Sequence, residues 1–229
     1  MVASGGVQTD RVGYATRWKA LHGGYDPQAA AFPVRGWFYL TYQAARGLAR
    51  IGVSPAAITV LGLVCCLFVP AVATQHGRWP VVAGVLVVVA GALDSLDGAV
   101  AVVARRVTRF GYVYDAVLDR LGETAWLVAF WLVGVPGWLV ALTACLSLLH
   151  EYLRARATAA GLSTHAVTNL TERPVRVLVA ALGLILVGVC GTLSDTLAAG
   201  AGTVAVSTWL LLGVIGFAQL FAAIGRDLG

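Results

Sequence analysis

The sequence predicts an all-α integral membrane protein: six transmembrane helices preceded by an amphipathic juxtamembrane helix. Three observations predict it. First, 59% of the 229 residues are hydrophobic and 12% charged, at a mean hydropathy of +0.82, whereas a soluble domain carries about 25% charged residues. Second, the apolar residues fall in repeated blocks of about 20, the length of helix that crosses a bilayer. Third, basic residues frame these blocks and form no basic domain of their own.

The elements follow in order. Residues 1–31 contain Asp10, Arg11, Arg17, Lys19 and Asp26 with no early apolar run, so they are predicted to be a cytoplasmic, partly mobile tail and not a cleaved signal peptide. Residues 32–229 form the membrane domain. Its opening stretch, 32–52, mixes Trp37, Phe38, Tyr39 and Leu40 with Arg35, Arg46 and Arg50, the composition of a helix lying on the membrane surface. Hydropathy then places spans at about 55–75, 80–103, 111–133, 137–158, 174–194 and 203–224.

Of the 16 Lys and Arg, all but Arg78 and Arg120 fall on one side of this arrangement. Basic loops stay in the cytoplasm, so both termini are expected there, in a multi-pass protein of the plasma membrane. The net charge of +5 is then a signal of topology and of attraction to anionic lipid, not of nucleic-acid binding. Cys65, Cys66, Cys145 and Cys190 lie in the spans without metal-type spacing and read as packing residues. Trp79, Trp131, Trp138 and Trp209 fall near span ends, as interfacial aromatics do. The faces carrying Gly84 and Gly91 would permit close helix association.

The chemistry concentrates in one window. Asp94, Asp97, Asp115, Asp119 and Glu123, five of the chain's 11 acids, lie inside the second and third spans. A carboxylate near the bilayer centre costs about 2.5 kcal/mol or more, so such residues usually face an interior cavity and have a function. Asp94 and Asp97 sit too deep in an apolar run to be helix caps. At about 100° per residue, Asp94, Asp97, Gly98 and Ala101 share one face of the second span, and Asp115, Asp119 and Gly111 one face of the third. By helix rise, Asp94 and Asp97 lie roughly 20–25 Å from the outer end of their span, and Asp115 and Asp119 roughly 6–12 Å inside the cytoplasmic end of theirs. Both pairs thus reach the same cytoplasmic third. Hard oxygen ligands without Cys or His suit Mg²⁺, Mn²⁺ or Ca²⁺ and not zinc.

At these residues the sequence resembles the CDP-alcohol phosphotransferase family, whose motif reads D-x2-D-G-x2-A-R-x8-G-x3-D-x3-D. Asp94, Asp97, Gly98, Ala101, Gly111, Asp115 and Asp119 hold its positions with every spacing kept; Val102 stands where the motif has arginine. On the face of Asp94, Arg105 is placed to substitute if the helix continues that far. Residues Glu151 to Ala157 and Glu172 to Arg176 are similar to segments near the acceptor site of the bacterial phospholipid-synthesising branch, and Ser54, Pro55 and Thr59 to its opening of span one.

The resemblance implies metal-dependent transfer of a phosphatidyl group from CDP-diacylglycerol to a polar alcohol, releasing CMP. The expected acceptor is a soluble alcohol phosphate such as glycerol 3-phosphate or inositol phosphate. Asp94, Asp97, Asp115 and Asp119 would hold one or two Mg²⁺ or Mn²⁺ ions, with Asp119 a ligand or the general base. Gly98, Ala101, Gly111, Arg105 and Thr59 would flank the CDP donor, and Arg154, Arg156, Arg173 and Arg176 the acceptor phosphate. A homodimer with its active site facing the cytoplasm is also implied. Two other readings stay open: a cation-coupled transporter using the same carboxylates, which predicts acids spread across the bilayer depth, and a catalytically weak homologue that binds CDP-lipid, which Val102 motivates.

Overall fold

A computed structural model describes residues 11–21, 29, 32–75, 77–162 and 173–227. These residues form eight α-helices and no strand: α1 Arg11–Leu21, α2 Phe32–Arg50, α3 Pro55–Ala73, α4 Trp79–Val103, α5 Arg109–Leu132, α6 Gly137–Ala159, α7 Arg173–Gly191 and α8 Asp195–Asp227. Local chemistry sets several of the ends. Ser54 precedes Pro55, and its hydroxyl accepts the Ala57 N–H at 3.2 Å. Thr108 does the same for Gly111 at 2.9 Å, and Ser194 for Leu197 at 3.1 Å. Each hydroxyl satisfies a donor that has no partner within its own helix.

The helix C-termini show one irregularity. α2, α5 and α6 are followed by Gly52, Gly134 and Gly161, each in the left-handed region, where glycine meets no Cβ penalty. After α4 the same position falls to Arg105, at φ 55°. The N–H of Arg105 donates to Val102 O at 3.3 Å and that of Arg106 to Ala101 O at 2.9 Å, which closes a Schellman motif.

The chain divides into two compact units, residues 1–63 with 92–119, and residues 64–91 with 120–229; α3, α4 and α5 contribute to both. In the first unit, α2 turns one stripe inward: Phe38, Tyr42, Ala45 and Ala49, spaced four, three and four residues apart, are buried with Ile58 of α3 and Ala99, Val100, Val102 and Val103 of α4. α1 adds Tyr14, 1% exposed, whose ring lies 4.9 Å from Phe38 and 4.8 Å from Tyr42. Trp18 meets Phe38 edge-on at 5.6 Å. The tail expected to be partly mobile therefore includes a packed helix. The opposite face of α2 exposes Trp37, Tyr39 and Leu40.

In the second unit, Trp126, Phe130, Leu184, Val187, Val206 and Trp209 centre a core to which α8 contributes by packing on α6 and α7. Trp209 is 2% exposed. Its expected place near a span end is corrected: α8 begins at Asp195, not near 203, so Trp209 falls inside the helix. Close approaches need glycine. A Cβ on Gly84 would lie 2.7 Å from the Ala181 carbonyl oxygen, and one on Gly91 3.0 Å from Val177. The small-residue face of α4 is thus used within the chain, which removes the sequence argument that it permits association with another copy.

α3, α4, α7 and α8 are long and apolar enough to cross a membrane. α5 and α6 have 24 and 23 residues, about 35 Å at 1.5 Å per residue. They fall short of that standard in composition, because Asp115, Asp119, Arg120 and Glu123 interrupt one and Glu151, Arg154 and Arg156 the other. The protein is an all-helical, multi-pass membrane protein.

Candidate active site

α4 carries Asp94 and Asp97 three residues apart, and α5 carries Asp115 and Asp119 four apart, so each pair shares a helix face. Within the first unit the fold brings together Asp94, Asp97 and Asp115, each offering a carboxylate oxygen within 4.8 Å of the other two. Asp97 is the most enclosed, at 5% exposure. The Thr59 hydroxyl of α3, which donates to Pro55 O at 3.1 Å, stands beside its carboxylate. Its Oδ2 is nevertheless buried without a hydrogen-bond partner. A buried acceptor without a donor is costly in an apolar helix pair. A hard divalent cation fits this all-carboxylate donor set. Asp119 is one turn beyond Asp115 and outside the group of three, yet close enough to act electrostatically on Asp97.

The backbone beside the carboxylates is open. Gly98 is exposed, and a Cβ built on it would meet nothing within 4 Å. A ligand can therefore approach the main chain there.

A second constellation occupies the other unit; Glu123, Glu151 and Arg176 each drew attention in the sequence, but not as partners of one another. Glu123 Oε1 lies 2.9 Å from Arg120 Nη2, and Glu123 Oε2 accepts from Arg176 Nη1 at 3.2 Å. Arg176 Nη2 donates to Glu151 Oε1 at 2.8 Å, and Arg120 Nη1 lies 3.4 Å from the same oxygen. Two carboxylates and two guanidiniums from α5, α6 and α7 thus form one neutral quartet. Arg173, one turn before Arg176, acts electrostatically on Glu123, and Arg154, one turn after Glu151, on Glu151. Both flanking arginines are half-buried.

The motif residues now have a setting that can be compared with known proteins. A sequence profile described as CDP-alcohol phosphatidyltransferase matches residues 52–220. The chain belongs to this family. The phosphatidyltransferase is 33% identical over 133 residues to archaetidylinositol phosphate synthase of Pyrococcus horikoshii, covering 58% of this chain and 69% of that one. It is 35% identical over 153 residues to phosphatidylinositol phosphate synthase of Mycobacterium tuberculosis, covering 63% and 68%. The crystal structure of a phosphatidylinositol phosphate synthase of that organism with CDP-DAG bound superposes at a TM-score of 0.64 and 22% identity, over 80% of this chain and 94% of that one, a likeness of fold. A complex of that synthase with manganese and citrate gives 0.62 and 26%, over 81% and 88%.

Several expectations for the phosphatidyltransferase change with the geometry. α4 ends at Val103, so Arg105 leaves the helix face on which it was to replace the missing arginine. Val102 is not an empty place in the site: it is 3% exposed and belongs to the core of Tyr14, Phe38 and Tyr42. Gly111 has a local reason, since a Cβ there would stand 3.0 Å from the capping Thr108 hydroxyl. Arg176, expected at the acceptor phosphate, is 3% exposed and engaged by two carboxylates, so the quartet takes it out of that role. Arg156 is exposed, and Glu172 lies outside the described residues.

Proposed function

We propose that this phosphatidyltransferase joins the phosphatidyl group of CDP-diacylglycerol to a hydroxyl of a polyol phosphate, inositol phosphate before glycerol 3-phosphate, and releases CMP. The observation that carries the reading is the meeting of Asp94, Asp97 and Asp115 within 4.8 Å on the family's motif spacing. Two relatives named as inositol phosphate lipid synthases, at 33% and 35% identity, favour the acceptor.

Asp94, Asp97 and Asp115 hold one or two Mg²⁺ or Mn²⁺ ions, with Thr59 steadying the Asp97 carboxylate. The bound metal would neutralise the diphosphate of the donor and polarise the phosphorus under attack. Open backbone at Gly98, with the small Ala101 one turn on, admits the cytidine end of the donor. Asp119, left outside the group of three, takes the proton of the acceptor hydroxyl. The acceptor oxygen forms its bond to the lipid-side phosphorus in line as the bond from that phosphorus to the CMP oxygen breaks. No covalent enzyme intermediate is needed; the residues position the reactants and balance their charge. Arg154 and Arg173 bind the acceptor's phosphate through paired N–H groups.

α5 and α6 complete six spans with α3, α4, α7 and α8. Outward apolar side chains support this, among them Val113, Val117 and Leu121 on α5 and Leu142, Leu148 and Leu149 on α6. Basic loops support a cytoplasmic side for both termini and the site, and family resemblance supports a homodimer. The test is CMP release by purified protein in lipid, with Mg²⁺ or Mn²⁺, CDP-diacylglycerol and a panel of free and phosphorylated polyols. Release is expected with a phosphorylated polyol; none with any acceptor would overturn the reading.

A further inference from the structure

Glu151 is the acid of the quartet that the fold leaves partly open. Its side chain is 28% exposed, against 3% for Glu123. Its two arginine contacts, at 2.8 and 3.4 Å, both fall on Oε1. The carboxylate is therefore pinned from α5 and α7 through one oxygen, which leaves Oε2 to another donor. Two further cations flank it: Arg154 on the next turn of α6, and Arg173 one turn before Arg176 on α7.

This arrangement selects for chemistry. A carboxylate oxygen accepts hydrogen bonds from hydroxyls and repels phosphate, whereas guanidinium does the reverse. Because Arg120 and Arg176 balance Glu123 and Glu151, Oε2 can stand beside an anion-binding pair without cancelling it. An acceptor fixed by two ion-pair partners also loses little freedom when a hydroxyl binds to it. A ligand carrying both a phosphate and hydroxyls meets every group present. A ligand lacking the matching hydroxyl would leave a carboxylate oxygen desolvated and unpaired, the situation in which discrimination is strongest.

We infer that Glu151 is a specificity-determining residue of the acceptor site, its Oε2 accepting a hydrogen bond from a hydroxyl of a polyol phosphate whose phosphate is held by Arg154 and Arg173. This rests on the polyol phosphate acceptor proposed above.

The test uses the full chain in lipid, saturated with CDP-diacylglycerol and Mg²⁺, and measures CMP release with inositol phosphate and with glycerol 3-phosphate. Glu151→Gln is expected to raise the KM of the wild type's preferred acceptor about tenfold, the effect of weakening one hydrogen bond to a charged group. The kcat and the KM of CDP-diacylglycerol should move less than twofold. Glu123→Gln removes the same charge from the quartet without touching the open oxygen; it should lower the melting temperature and leave the acceptor KM in place. Should Glu151→Gln fail to fold, Glu151→Asp keeps the charge, withdraws the oxygen and should raise the acceptor KM alike. An acceptor KM within twofold of wild type for the folded variant overturns the inference, as does an equal rise in Glu123→Gln. If the wild type releases no CMP with either acceptor, the reading of the reaction itself fails first, and this inference goes with it.

Discussion

The first unit gathers Asp94, Asp97 and Asp115 within 4.8 Å and leaves Asp97 Oδ2 buried without a donor. The second gathers Glu123 and Glu151 and meets each with the same two arginines. Both groups lie on helices with apolar outer faces, where charge is costly. The difference is where the compensating charge comes from. The quartet carries its own and is a structural tie between three helices; the triad has an acceptor that a cation from outside would satisfy. Burial of acids is therefore not a signature of a site by itself. Burial without an internal partner is the informative case.

The sharpest way to break the comparison is to remove one carboxylate from each group. Asp97→Asn should lower CMP release by about 10³-fold, the scale expected when charge stabilisation of a transition state is lost. It should also abolish Mn²⁺ binding read by electron paramagnetic resonance, while the melting temperature in lipid holds or rises. Retained Mn²⁺ binding would remove Asp97 from the metal's ligands. Arg176→Ala should act oppositely, on stability before chemistry. It leaves Glu123 short of a partner at a site 3% exposed, a loss of about 3–5 kcal/mol for a broken buried pair. Replacing Glu123 and Arg176 together by Leu and Met should recover most of it. A double variant as unstable as the single one would mean that the quartet contributes more than charge balance.

Val102 sharpens the same contrast inside the first unit. Val102→Arg restores the motif, but the position is packed among Tyr14, Phe38 and Tyr42. An unpaired guanidinium there should cost on the order of 3 kcal/mol through overpacking and desolvation. The expected result is a lower melting temperature and no gain in CMP release. A gain would show that the core yields and that the catalytically weak reading of the native chain is correct.

The sequence makes the helices and the triad legible for different reasons. Runs of apolar residues placed α3 to α7 within a few residues of their observed ends, and the turn of a helix put Asp94 with Asp97, and Asp115 with Asp119, on shared faces before any contact was known. α1 escaped because its core contacts, Tyr14 with Ala15 and Trp18, are few and lie in a polar stretch, too little periodicity to read. The quartet escaped because Arg176 meets Glu151 and Glu123 across 25 and 53 residues of chain. Even its local pair, Arg120 with Glu123 three residues on, lies on one helix face but was read as a lone basic residue and one of five acids. Arginines at helix ends read equally well as topology signals, ligands or ion-pair partners, and packing alone separates Arg176 from Arg154 and Arg173.

The smallest effect concerns Arg105, the one non-glycine residue with positive φ among those described. A left-handed conformation costs an L-residue about 1 kcal/mol that glycine does not incur. Arg105→Gly should therefore stabilise the first unit by about 1 kcal/mol, seen as a small rise in melting temperature. If the arginine serves only to close α4, CMP release and the KM of CDP-diacylglycerol should stay at wild-type values. If instead the strain is kept because the guanidinium meets the donor's phosphates, the same variant should melt higher and bind donor more weakly, the trade expected where backbone strain is retained for function. The two outcomes separate cleanly because stability moves the same way in both, and only the donor KM distinguishes a cap from a ligand.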